Sequence, residues 1–106
     1  MPKDKFSFDN LLELIKSKIS SKDKNSYSYE LVKNGVEKVS RKIGEEAVEV
    51  LIASFNHEKN PTKKTRQELI GEVCDLFYHN LVLLASQDIE LAEILSELEK
   101  RNKKND

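Results

Sequence analysis

The chain has 106 residues and 12.2 kDa, with 38% hydrophobic and 35% charged residues, 18 Lys+Arg against 19 Asp+Glu and a formal net charge of -1. That length suits one domain, residues 1–106, and leaves no room for two. The near balance of charge excludes the strong basic excess of a general nucleic-acid binder, and a lone cysteine, Cys74, excludes an intrachain disulfide or a zinc ribbon. A domain this small buries only about two-thirds of its unfolded surface, so a partner subunit is expected from the outset. No stretch approaches the ~20 apolar residues of a membrane span, and the charged start Met1 to Lys5 leads into no signal-type run. The expected compartment is the cytoplasm, with no membrane partner.

Two prolines and three glycines leave long stretches without helix breakers. Ser7 or Asp9 is expected to cap a first helix through Leu11, Leu12, Ile15 and Ile19, followed by a polar loop from Ser20 to Ser26. A short helical segment should run from Tyr27 to Lys33, with Gly35 as its stop. A long helix is expected from Val36 to about Phe55, then the longest loop, Asn56 to Thr65 around Pro61, then a helix from Arg66 to Ser86. Asp88 is placed as the cap of a last helix through Leu91, Ile94, Leu95 and Leu98, and the polar tail from Lys100 to Asp106 is expected to fray. Nothing alternates with period two, so the expected fold is an all-α bundle of four to five helices around two central ones.

Projected at ~100° per residue, the first central helix puts Val36, Val39, Ile43, Ala47, Val50 and Ser54 on a core face, and Val48, Leu51, Ile52 and Phe55 roughly opposite. Between them runs a charged strip of Lys38, Lys42, Glu46 and Glu49, with Glu45 at its margin. The second central helix puts Leu69, Val73, Phe77, Leu81 and Leu84 on its core face and Tyr78, Val82 and Ala85 on a farther apolar face, with Glu68, Glu72, Asp75 and His79 along one line. A helix apolar on two sides is covered twice, by its own core and by another helix or subunit.

Like charges at i,i+3 or i,i+4 destabilise an exposed helix by roughly 0.2–0.5 kcal/mol per pair, and by more where apolar neighbours exclude water. A divalent cation would compensate, and Mg²⁺ takes carboxylate oxygens while leaving positions for phosphate. Antiparallel packing would let Glu46 and Glu49 face Glu72 and Asp75. The alternative is that these acids are solvated and paired with Lys38, Lys42 or Arg41. A di-iron bundle needs Glu-x-x-His, and the residues three before His57 and His79 are Ser54 and Leu76. Cys74 reads as a small core residue, and His57 has no specific role.

The run Lys38 to Glu49, KVSRKIGEEAVE, with Glu72 to His79, EVCDLFYH, and the Ser26-Tyr27 element, resembles the phosphoribosyl-ATP pyrophosphatase family of histidine biosynthesis, within the all-α MazG-like nucleoside triphosphate pyrophosphatases. The resemblance runs from about Ser26 to Arg101. Tyr29, where a small residue is usual, and Phe77, where an aliphatic one is usual, depart from the pattern and bear on local packing.

The resemblance implies a MazG-like architecture completed by homodimerisation, and Mg²⁺ held by Glu46, Glu49, Glu72 and Asp75, with Glu45 nearby to support the ligands or to orient water as a base. It implies hydrolysis of phosphoribosyl-ATP to phosphoribosyl-AMP and pyrophosphate. Lys38 and Lys42, one to two turns before the acids, could reach phosphate oxygens or pair with neighbouring acids. His79 could orient a carboxylate or contact phosphate, or simply pack. Ser26 and Tyr27 would close over the substrate, or serve as an N-cap and a packed aromatic. A house-cleaning pyrophosphatase would use the same acids on other nucleotides, and a non-catalytic helical dimerisation module would leave them solvated. The cyclohydrolase sometimes fused to this family needs Cys/His zinc ligands, which this chain is expected to lack.

Overall fold

A computed structural model describes residues 5–105, with side chains through Lys103. Five helices follow in order: α1 Phe8–Ser20, α2 Tyr27–Val32, α3 Glu37–Lys59, α4 Lys63–Ser86 and α5 Leu91–Asn105. There is no strand among the described residues, as the lack of period-two patterning predicts.

Local chemistry sets the boundaries. Ser7 caps α1, its hydroxyl accepting the Asn10 amide at 3.1 Å, and Ser26 caps α2 by accepting the Tyr29 amide at 3.2 Å. Gly35, at φ +112°, supplies the left-handed turn into α3. The loop expected from Asn56 to Thr65 shrinks to residues 60–62, because Asn56 to Lys59 continue α3 and the next helix begins early. There Thr62 and Thr65 form a reciprocal capping box, with amide-to-hydroxyl distances of 3.0 and 2.9 Å. His57 lies within α3 rather than in a loop, and its Nδ1 stands 2.8 Å from Thr65 Oγ1 across the tight antiparallel hairpin.

Asp88 does not cap α5. It stands at φ +55° just past α4, where its amide bonds Ala85 O at 3.2 Å and the Ile89 amide bonds Leu84 O at 2.9 Å. This Schellman pattern ends α4 with an aspartate in the position glycine usually takes. At the start of α5 the Glu93 carboxylate accepts the Glu90 amide instead. The helix continues to Asn105, through the stretch expected to fray; Asp106 lies outside the described residues.

The core consists of Leu12 and Ile15 from α1, Leu31 from α2, Val39 from α3, and Leu81 and Val82 from α4, with Ile43, Tyr78 and Leu84 packed against it. It therefore occupies the end of the α3/α4 hairpin where α1 and α2 lie. Val39, Ile43, Leu81 and Leu84 of the projected core faces pack inside as expected, but not every position of those faces does. Ala47 and Phe77, expected inside, are exposed, whereas Glu46, His79 and Val82 are buried. Phe77 meets Phe8 edge-on at 5.6 Å on the outer surface, and Cys74, expected in the core, is exposed beside it on the same face of α4.

By length and composition α4 passes as a possible membrane span, with a window of mean hydropathy 1.3, although no such stretch is expected from sequence. Acidic side chains argue against that reading, since one Asp at the centre of a membrane helix costs ~2.5–3.5 kcal/mol. Glu72 and Asp75 instead face α3.

Candidate metal and phosphate site

The strips on α3 and α4 converge because the hairpin is antiparallel and tight. Carboxylate oxygens of Glu46, Glu72 and Asp75 all lie within 4.8 Å of one another. Glu46 is only 5% exposed, and Oε1 of both Glu46 and Glu72 is sealed from solvent without a hydrogen-bond partner. Buried carboxylate oxygens without partners are costly, so they call for a ligand. Three hard oxygen donors, two with an unsatisfied buried atom, fit a small divalent cation such as Mg²⁺. Glu49 lies on the exposed rim against Glu72, beside the three rather than among them.

The electrostatics agree. Burial, followed by repulsion from Asp75 and Glu49, pushes the Glu46 carboxyl above its ordinary range, only partly countered by His79 and Lys42. The Glu72 carboxyl is pushed up chiefly by a hydrogen bond to Glu49, then by burial and by the charges of Glu49, Asp75 and Glu46. A cation between these groups would reverse both tendencies.

His79 closes one side. Its Nδ1 donates to the Asp75 carbonyl oxygen at 2.9 Å, because a carbonyl can only accept. On the other side of the ring, Nε2 and the Tyr27 hydroxyl share a hydrogen bond at 2.8 Å. Both ring nitrogens are hydrogen-bonded within the protein and the residue is 6% exposed. Tyr27 remains half exposed at the edge of the acids. Ser26 is engaged as the N-cap of α2.

Two residues that sequence reading did not single out complete this junction. Ser28 Oγ and the Tyr78 hydroxyl lie 2.7 Å apart, so adjacent residues of α2 bond adjacent residues of α4. Neighbouring doublets, Tyr27-Ser28 and Tyr78-His79, carry the signal, yet no spacing rule links groups so far apart in the chain.

The cations divide. Lys42 stands 3.6 Å from Glu45 Oε1, and its ammonium is held above its ordinary range by Tyr27 first, then Glu45 and Glu46. Lys38 is exposed and lines a separate cleft with residues of α2. On the far side of the acids, Glu49, Ile52, Ala53, Asn56, Glu68 and Glu72 line a groove of about 260 Å³.

Comparison with known proteins agrees with this geometry. Residues 8–102 match the phosphoribosyl-ATP pyrophosphohydrolase family. A phosphoribosyl-ATP pyrophosphatase of Pyrobaculum neutrophilum is 43% identical over 86% of this chain and 89% of its own, and one from Listeria monocytogenes serotype 4b is 45% identical over 91% and 85%. A histidine biosynthesis bifunctional protein HisIE of Staphylococcus epidermidis is 39% identical over 94% of this chain, which spans 44% of that protein. With its carboxylates gathered on an all-α hairpin and nearly its whole length matched, the chain belongs to the phosphoribosyl-ATP pyrophosphohydrolase family.

Proposed function

We propose that this protein hydrolyses phosphoribosyl-ATP to phosphoribosyl-AMP and pyrophosphate, the second step of histidine biosynthesis. The observation that carries the reading is the convergence of Glu46, Glu72 and Asp75, two of them with a buried oxygen lacking a partner, in a chain of this family. Glu49, against Glu72, is the fourth carboxylate of the set. Mg²⁺ held there would neutralise phosphate charge and activate water.

The chain's own residues supply the rest. Cleavage of the α–β anhydride needs a water placed in line and a cation near the departing pyrophosphate. Lys42, on the strip between Tyr27 and Glu45, gives that positive charge. Glu45 is exposed beside it and can accept a proton from water without being desolvated first. Tyr27, fixed through His79, bounds the site and limits how substrate enters. A homodimer in the cytoplasm is part of this proposal: the free Cys74 thiol suits a reducing compartment, and the exposed apolar side of α3 suits a second copy.

The test is a pyrophosphate-release assay with phosphoribosyl-ATP, ATP and dNTPs, each with and without Mg²⁺. Rapid Mg²⁺-dependent release from phosphoribosyl-ATP is expected, and Glu49→Gln or Asp75→Asn should lower it by more than about 100-fold with the helical circular dichroism intact. Preference for ATP or dNTPs over phosphoribosyl-ATP would move the protein to the house-cleaning group. Undiminished turnover by either variant would remove the carboxylates from the mechanism.

A further inference from the structure

A second concave surface lies on the α2 side of α3, apart from the carboxylates. The turn through Asn34 and Gly35 leaves a cleft of about 340 Å³ floored by Leu31 and edged by Lys33, Lys38 and Arg41 together with Glu30 and Glu37. Lys33 is paired with Glu30 at 2.7 Å and Arg41 with Glu37, while Lys38 has no ion-pair partner among the described residues. Exposed pairs of that kind contribute only about 0.3–0.5 kcal/mol, so an incoming dianion can exchange them. The cleft thus sets three cations against two exposed carboxylates, with Lys38 the cation free of an ion pair among the described residues.

Its position relative to the acids gives it meaning. Lys38 and Lys42 are neighbours in the helical projection, yet Lys42 belongs electrostatically to Tyr27, Glu45 and Glu46 whereas Lys38 edges this cleft. From Lys38 to Glu46 is eight residues, about 12 Å along the helix at 1.5 Å per residue. Phosphoribosyl-ATP carries phosphate at two places: the triphosphate that is cut, and a monoester on the added ribose. With two riboses and the adenine between them, a substrate charged at both ends needs a second cationic surface set apart from the first.

We propose that this cleft is a subsite for a pentose 5-phosphate, with Lys38 as its principal contact and Lys33 and Arg41 recruited from their acidic partners. The inference rests on the reading of the carboxylate site given above, and it supplies what that site lacks, a means of telling phosphoribosyl-ATP from ATP. ATP has no group to place there.

Ribose 5-phosphate is the probe. With Mg²⁺ present it should inhibit phosphoribosyl-ATP cleavage competitively, and Lys38→Gln should raise both its inhibition constant and the substrate KM by about tenfold or more, with a much smaller effect on kcat, as loss of uniform binding requires. Lys59→Gln, an exposed change at the other end of α3, controls for general loss of positive charge and should match wild type. Equal inhibition of wild type and Lys38→Gln would overturn the subsite. If wild type fails to cleave phosphoribosyl-ATP, the proposed function falls, and ribose 5-phosphate titration followed by amide NMR decides the cleft separately. Saturable shifts at Gly35 and Lys38 that vanish in Lys38→Gln would sustain it, and their absence would overturn it.

Discussion

At the residue scale, the feature that dominates is a set of carboxylates held closer together than an unliganded protein would favour. Glu46 is the most buried of them, and its carboxyl is raised by burial, Asp75 and Glu49 in that order. An acid whose pKa is raised on folding binds more protons folded than unfolded. Its contribution is therefore most favourable below the ordinary value of 4.5 and is lost as pH rises through the raised value. Glu46→Gln removes that penalty. In EDTA the variant should melt above wild type at pH 7 and the difference should shrink toward pH 4.5, whereas saturating Mg²⁺ should raise the wild-type Tm and leave the variant's nearly unmoved. At a hundredfold excess over Kd, the linked gain is about 2.7 kcal/mol. Scanning calorimetry across pH checks both, and a wild-type Tm indifferent to Mg²⁺ would contradict the assignment of these acids to a cation.

At the scale of elements, α2 is the piece whose placement most depends on specific polar contacts. It has only six residues, too few to be stable alone, and it is pinned to α4 by Tyr27 with His79 and Ser28 with Tyr78. Ser28 is buried, so Tyr78→Phe strands its hydroxyl and should cost about 1–3 kcal/mol in urea unfolding. The double variant Tyr78→Phe/Ser28→Ala should cost less than the two single costs added, since each removes the same bond. The end of α4 gives an opposite case: Asp88→Gly relieves a left-handed residue and should stabilise by about 1 kcal/mol.

Such details mark what the sequence could reveal about the elements. Apolar periodicity located all five helices, and the Ser7 and Ser26 caps followed from residue type. The hairpin loop did not, because Asn56 to Lys59 are polar enough to read as loop, although Thr62 and Thr65 carried the start signal of α4. The core face of α3 departs from hydrophobic projection at Glu46 and Ala47 for a more instructive reason. Hydrophobicity assigns Ala47 to the core and Glu46 to water, yet Glu46 is the buried one. A site that buries charge breaks the rule used to find cores, and the strip of acids was visible only as a repeated spacing.

At the scale of the molecule, the single chain is more open than a compact domain of its length. Its radius of gyration is 16.0 Å, where a compact domain of about this length has ~13 Å. It exposes 8111 Å², against about 6100 Å² for a folded monomer of this mass. The excess, about 2000 Å², exceeds the ~800 Å² that each partner buries in a standard interface. Part of it has a definite location. The core lies at one end of the α3/α4 hairpin, and along the other end Val48, Leu51, Ile52 and Phe55 stand 51 to 65% exposed on one face of α3. A face that large and apolar beside the carboxylates suits a second copy of the chain, related by symmetry so that the same helix packs against itself or its neighbour. Wild type should therefore sediment at twice the chain mass. Leu51→Glu with Phe55→Glu should shift it to monomer and lower Tm, because α3 would then carry charges into what the dimer buries. A wild-type monomer at micromolar concentration, active and with unchanged Tm on dilution, would show that this face is closed by something other than a second copy.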